Sequence, residues 1–401
     1  MMVSKWLGRL GVFSALLVTS MPMQAAEAVD VVMQKMLGHA PEQTQQSWQA
    51  MQQQYQAQSQ QWWQSPNLVL AHENGALGGD GADQVWQAGV EFTLQAQSQR
   101  QAKQVLAGAY SELAPAQTRF LRWQASAKLR ELAAQQHLAQ VALAGQQRSA
   151  EQFEKLVSQI QTRVELGGSS LLDLAQVQAS QLQQQTQLEM ARAGVAQAQS
   201  QIQFWLGKDA ATPSWSESDL GVLPLSEHPA IAWQMAQISM QEQQIHLAKS
   251  MIQGNHTLFI AASHEKADGV DSQKLIAEIS VPLSDDLGAR LGASHEQLAL
   301  SKQQMALTQT QAEIQAAISI AQSKLVALQA QQGVLQKALA VQQQSLKLMT
   351  SAYELGESSL QPLLMAQQQE MQAQLAVELL QAQIAQAQAQ LNQASGHLFA
   401  H

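Results

Sequence analysis

The chain has 401 residues, a formal net charge of −9, only 13% charged residues and no cysteine. Without cysteine there can be no disulfide, thiolate metal site, thiol nucleophile or lipidated N-terminal cysteine, and the acidic balance offers no basic patch for nucleic acid. Gln and Ala dominate and favour helix, while periodic Leu, Val and Ile set the chain apart from a disordered glutamine-rich tract.

Residues 1–28 read as a secretory signal: Lys5 and Arg9, an apolar run from Leu10 to Val18, then Ala25, Ala26 and Ala28. The run is shorter than the roughly 20 residues that a bilayer-spanning helix takes, and cleavage is expected between Ala25 and Ala28. A helix is predicted from about Val29 to Gln64, broken near Pro41 and closed by Pro66, because proline cannot continue a helix interior. Asn67–Glu73 reads as a strand and Asn74–Gly81 as a loop. Gln84–Gln95 reads as a second strand. Trp86, Ala88, Val90, Phe92 and Leu94 share one face; Gln87, Gly89, Glu91, Thr93 and Gln95 share the other. Such alternation over about 9–11 residues is the pattern of a transmembrane β-strand; a half-buried hairpin in a soluble domain is the competing reading.

A helix of roughly 70 residues follows, from about Gln97 to Leu166 with Pro115 inside it, and would span about 105 Å. After the turn Leu166-Gly167-Gly168-Ser169-Ser170, a helix of about 55 Å returns to Leu206. Lys208–His228, with Pro213 and Pro224, is a connector. Then the pattern repeats. A helix from Pro229 to Gln253 leads to strands at about 257–265 and 274–283, the second with Leu275, Ala277, Ile279, Val281 and Leu283 on one face and Lys274, Glu278 and Ser280 on the other. A long helix to Leu355, the turn Leu355-Gly356-Glu357-Ser358-Ser359 and a helix to Ser395 complete it. The offset is 189 residues (355 − 166), and it also superimposes Glu165 on Glu354 and Gly207 on Gly396. The first repeat is thus 29–207 and the second 229–401. A period this long marks a duplicated half-protein rather than a solenoid.

In each half the two shorter helices laid end to end match the long one, as a wall of antiparallel helices requires. The returning helices carry seams: Leu174, Val177, Gln181, Gln184, Leu188, Ala191, Val195, Ala198, Ile202 and Trp205, and Leu363, Ala366, Glu370, Ala373, Val377, Leu380, Ile384, Ala387, Leu391 and Ala394. Steps of three and four mean coiled-coil packing against a neighbour.

Tyr353-Glu354-Leu355-Gly356-Glu357-Ser358-Ser359-Leu360, the strand ending Val281-Pro282-Leu283, and His228-Pro229-Ala230 opening a helix resemble the TolC family of bacterial outer-membrane efflux channels. The resemblance covers nearly all of the chain after the signal. It implies a mainly α fold with a small β part: a duplicated helix-strand-strand-helix-helix unit whose long antiparallel helices form an α-barrel tunnel. Four strands per protomer would complete a 12-stranded β-barrel in a homotrimer, closing the strand edges that lipid does not tolerate. The implied partners are a periplasmic adaptor (membrane fusion protein), an inner-membrane pump of the resistance-nodulation-division type and outer-membrane lipid; no cofactor is implied, and neither is an enzyme. Leu166, Gly167, Ser169, Ser170, Leu355, Gly356, Ser358 and Ser359 would be the adaptor-docking tips, and Asp173 and Tyr353 would line the channel entrance.

Asp173 lies six residues after Gly167, where the family places an aspartate that narrows the entrance. Three copies around an axis would attract cations; the alternative is a first-turn carboxylate favoured by the helix dipole. The arginine and two aspartates that usually follow the entrance tyrosine are replaced by Ser358, Pro362 and Met365, so a salt-bridged gate is not expected. Short strands, compact length and His228-Pro229 resemble the heavy-metal branch and suggest metal cations as cargo. His72-Glu73 and His264-Glu265 recur near the outer ends of their strands and could suggest metal capture, but two adjacent residues are not a metal-ligand set, and exposed loop residues are the expected reading. Trp62 and Trp63 precede the first strand, where an interfacial aromatic girdle is expected, or pack in the helical wall. No catalytic motif is present. The alternative function, a soluble periplasmic coiled-coil adaptor or scaffold, lacks the lipoyl-like β-rich segment such a protein carries.

Overall fold

The computed structural model describes residues 21–74, 84–207, 217–267 and 270–399. The basic start and apolar run of the signal, the glycine-rich loop after Asn74, and Pro213 lie outside the described residues. The elements run α1 Met21–Leu37, α2 Ala40–Gln60, β1 Asn67–Asn74, β2 Gln84–Leu94, α3 Gln97–Glu165, α4 Leu171–Leu206, α5 Pro229–Ser250, β3 His256–Ala267, β4 Val270–Ser280, α6 Leu287–Glu354 and α7 Leu360–Ala394. The chain is mostly helical with one four-stranded sheet. The duplication is visible residue by residue: α2 and α5, β1 and β3, and α4 and α7 begin 189 residues apart (229 − 40, 256 − 67, 360 − 171). The long helices contain 69 and 68 residues.

Turn chemistry explains the helix ends. The predicted first helix is divided at Gly38 (φ 58°), whose N–H closes α1 onto the Gln34 carbonyl at 2.8 Å, and Pro41 then sits in the first turn of α2. Pro115 does not divide α3, which runs through it. The last strand differs from its prediction: β4 starts at Val270 and stops at Ser280. Alternation continues through Val281-Pro282-Leu283, but Pro282 has no ladder donor. Its ring packs so tightly on Gly254 (φ 71°) that a β-carbon there would come within 2.9 Å.

The chain forms two compact units. One comprises Met1–Gly38, Leu121–His228 and Ala312–His401; the other comprises His39–Phe120 and Pro229–Gln311. In the first unit, Phe153, Leu156 and Ile160 of α3, Val177 of α4 and Leu360, Leu363 and Leu364 of α7 make one core, while Val29 and Val32 of α1 pack with Ala125, Leu129 and Phe399. A buried polar clasp holds the connector there: Arg130 Nε donates to Glu217 Oε1 at 2.8 Å, and Asn392 Nδ2 donates to Glu217 Oε2 and the Ser218 carbonyl, both at 2.9 Å. The second unit packs Leu106, Tyr110, Leu113 and Leu247 with Trp48, Tyr55 and Trp233.

Every position of the two predicted seams is at least partly covered. The repeats are nonetheless unequal. α7 buries eleven residues and α4 three. α6 leaves a stripe exposed at Leu291, Leu298 and Met305 and again at Val334, Val341 and Leu348, spaced by seven.

Candidate functional site

Two places concentrate functional features: the helix-to-helix turns of the first unit and the sheet of the second. Both turns are Schellman closures. Gly167 (φ 76°) and Gly356 (φ 79°) take the left-handed conformation that glycine adopts without penalty. Gly168 N–H bonds the Arg163 carbonyl and Gly167 N–H that of Val164; Glu357 and Gly356 do the same to Ala352 and Tyr353. Leu166, Leu171, Leu172 and Leu355 stand exposed around these turns, and Ser358 and Ser359 complete the second.

Asp173 closes a capping box. Its N–H donates to Ser170 Oγ at 3.1 Å, and its Oδ2 accepts from Ser170 N at 3.0 Å and Ser170 Oγ at 2.8 Å. The duplicate position is Pro362, and Ser359 correspondingly makes no side-chain cap. Tyr353 bridges the two turns: its hydroxyl lies 3.2 Å from Ser169 Oγ and the Arg163 guanidinium sits 5.0 Å over its ring. The structure therefore joins Ser169, Tyr353 and Arg163, and separately Ser170 and Asp173. Arg163 carried no sequence signal, because its role depends on a turn 190 residues away (353 − 163).

Among the described residues the sheet has order β1-β2-β3-β4, all antiparallel, with β1 and β4 at open edges. Residues paired across strands share a face, so the register sorts every side chain. One face is built of apolar rungs: Leu70-Ala88-Ala262-Leu275, Leu68-Val90-Ile260-Ala277 and Phe92-Leu258-Ile279. The other carries the polar rungs Gln87-Ser263-Lys274, Glu91-Phe259-Glu278 and Thr93-Thr257-Ser280, with one apolar rung, Val69-Gly89-Ala261-Ile276, among them. The sheet curls toward the polar face. Ala261 is 2% and Ser263 6% exposed in its trough, whereas Leu70 and Leu275 are 71% and 82% exposed on the apolar side. A β-carbon on Gly89 would come within 2.5 Å of the Ala261 Cβ, so glycine permits this curvature.

Aromatic residues bound the apolar face at both ends. Trp86 lies at one end; at the other, Trp63 bridges to Leu94 and packs edge-on against Phe92, with Trp62 beside it. Trp86 and Leu94 are eight positions apart, about 27 Å of extended strand. The His-Glu pairs lie within β1 and β3 rather than in loops, and they do not converge, since neighbours on a strand point to opposite faces. His72 stacks on Trp86, His264 lies 3.7 Å from Asp271, and Glu265 pairs with Lys274 on the other side. Among the described residues no group of three or more His, Asp or Glu is placed to hold a metal ion, and no helix is long and apolar enough to cross a membrane.

No protein-family model matches the sequence. No curated protein matches it either. Solved structures do. The chain is similar to the outer membrane protein VceC from Vibrio cholerae (TM-score 0.65, 14% identity, 93% of this chain and 96% of that one). It is also similar to the Campylobacter jejuni CmeC outer membrane channel (0.65, 13%, 94% and 86%) and to the open state of the Neisseria gonorrhoeae MtrE outer membrane channel (0.62, 15%, 93% and 89%). At these identities it is the fold that is shared: the chain has the fold of outer-membrane channels.

Proposed function

We propose that this chain is a TolC-family protomer of an outer-membrane channel, the passive exit duct of a tripartite efflux system. One observation carries the reading: a curled four-stranded sheet, apolar on its convex face and largely polar in its trough, with both edge strands unpaired among the described residues. Open edges and exposed leucines are untenable in water or lipid alone, but a closed ring of copies turns the apolar face to lipid and the trough to a lumen. The unequal repeats support the same ring. Exposed apolar residues lie on α4 of the first repeat and on α6 of the second, two different helix faces suited to a head-to-tail interface between copies. By the family resemblance, the proposed ring has three copies and twelve strands.

On this reading Leu166–Ser170 and Leu355–Ser359 dock a periplasmic adaptor that couples the duct to an inner-membrane pump, and Asp173 and Tyr353 border the entrance. Metal cations are the proposed cargo, favoured by the acidic chain and by Glu91 and Glu278 in the trough. A soluble periplasmic adaptor or scaffold is disfavoured, because it would leave Leu68, Leu70, Leu275 and Ile279 in water. Fractionation tests the role: a heat-modifiable trimer in outer membranes is expected, and a soluble monomer in the periplasmic extract refutes it. For the cargo, a deletion strain should lose tolerance to zinc, cobalt, cadmium, copper or silver; sensitivity to dyes and antibiotics alone overturns the metal reading.

A further inference from the structure

The convex face of the sheet holds an open groove of about 840 Å³. Its walls are Leu70 on β1 and Leu275 on β4, its floor Ala88, Ala262 and the intervening rung Ala71-Gln87-Ser263-Lys274, and its closed end Trp86 flanked by His72 and His264. The floor is low because the two central residues of the Leu70 rung are alanines. At the closed end the chemistry changes within two rungs. His72 lies flat on Trp86 with ring centroids 3.9 Å apart, and Lys266 and Asp271 stand one rung further out. Among the described residues these two rungs carry two imidazoles, His72 and His264, and one Lys-Asp pair, Lys266 opposite Asp271.

We propose that this groove binds a lipid with an anionic phosphate headgroup, one acyl chain lying along Ala88 and Ala262 and the phosphate accepting hydrogen bonds from His72 and His264. The inference rests on the reading of the convex face as lipid-facing. Apolar walls with polar groups at one end match an amphiphile rather than a free ion, and the imidazole N–H groups of His72 and His264, with the Lys266 ammonium one rung beyond, suit a phosphate as hydrogen-bond acceptor.

The test uses the full chain in detergent and native mass spectrometry, with dioleoylphosphatidic acid, dioleoylglycerol and inorganic phosphate as separate probes. The wild type should retain dioleoylphosphatidic acid about tenfold better than dioleoylglycerol, and inorganic phosphate not at all. Ala262→Phe, which fills the floor from an exposed face, should lower retention about tenfold. His72→Gln with His264→Gln should remove the preference for phosphate while the acyl chain still binds. Retention unchanged in both variants overturns the groove, as does tight binding of inorganic phosphate alone. Flotation with vesicles separates the two levels: a chain that never inserts refutes the channel reading and the groove together, whereas insertion with variant-independent lipid retention refutes the groove alone.

Discussion

Glu217→Ala should release the connector. Glu217 and Arg130 form an ion pair whose side chains are 6% and 4% exposed, with Nε 2.8 Å from Oε1. Burial pushes the Arg130 guanidinium below its usual range, and the Glu217 bond opposes that shift. Removing the carboxylate strands a buried cation, which costs about 3–5 kcal/mol. The lower end applies, because Arg130 keeps Gln393 Oε1 and the carbonyls of His397 and Leu398. About 3 kcal/mol is roughly a hundredfold rise in the open population of the 217–228 segment, and proteolysis that samples rapid opening follows that population. Timed digestion should show cleavage in this segment about a hundredfold faster in Glu217→Ala. Arg130→Met with Glu217→Leu, which removes both charges, should recover most of the protection. Cleavage of Glu217→Ala at the wild-type rate would refute the claim that this pair holds the connector.

Gly167→Ala and Gly356→Ala meet open space, so each should cost only the left-handed backbone penalty, about 1–2 kcal/mol, read as faster amide exchange in the last turns of α3 and α6. Ser170→Ala removes the cap and should cost about 1 kcal/mol without changing ion selectivity; Asp173→Asn should lower the cation preference of bilayer conductance, and unchanged selectivity would leave Asp173 with its capping role alone. Burial pushes the Lys103 ammonium, bonded at 2.8 Å to Gln95, below the ordinary lysine range. The unfolded chain therefore holds that proton more tightly. Stability rises as pH climbs through the window just below that range and falls as pH drops through the folded value; Lys103→Met should flatten this slope in thermal melts and be the more stable protein at pH 7. Phe153→Ala, in the core joining α3 to α7, should cost about 3–5 kcal/mol by thermal or chaotrope melting.

Much of this architecture was legible because it is periodic. A two-residue period assigned Trp86, Ala88, Val90 and Phe92 to one face, and the 189-residue offset located the second copy of each element. Local chemistry placed both glycine turns. What alternation could not reveal was where pairing ends: Val281 and Leu283 keep the pattern, but Pro282 forfeits its ladder bond and leans on Gly254. The union of the two halves through β2 and β3, the contact of Ser169 with Tyr353 and the clasp of Arg130 on Glu217 join residues far apart in sequence, where no local signal exists. The inequality of the repeats was equally hidden, since α4 and α7 carry similar seams yet only α7 is enclosed. Asp173 shows the opposite limit: its place in a first helical turn was legible, its capping box with Ser170 emerged only in the structure, and that local motif is silent about what else the carboxylate faces.

The central claim is that opposite faces of one sheet meet lipid and water. Because the chain has no cysteine, Gln87→Cys in the trough and Ala88→Cys on the convex face can be labelled singly, in otherwise identical protein, with a charged maleimide in intact outer membranes. The account predicts rapid labelling of Gln87→Cys and protection of Ala88→Cys until detergent is added; equal labelling of the two neighbours, or the reverse order, would contradict it.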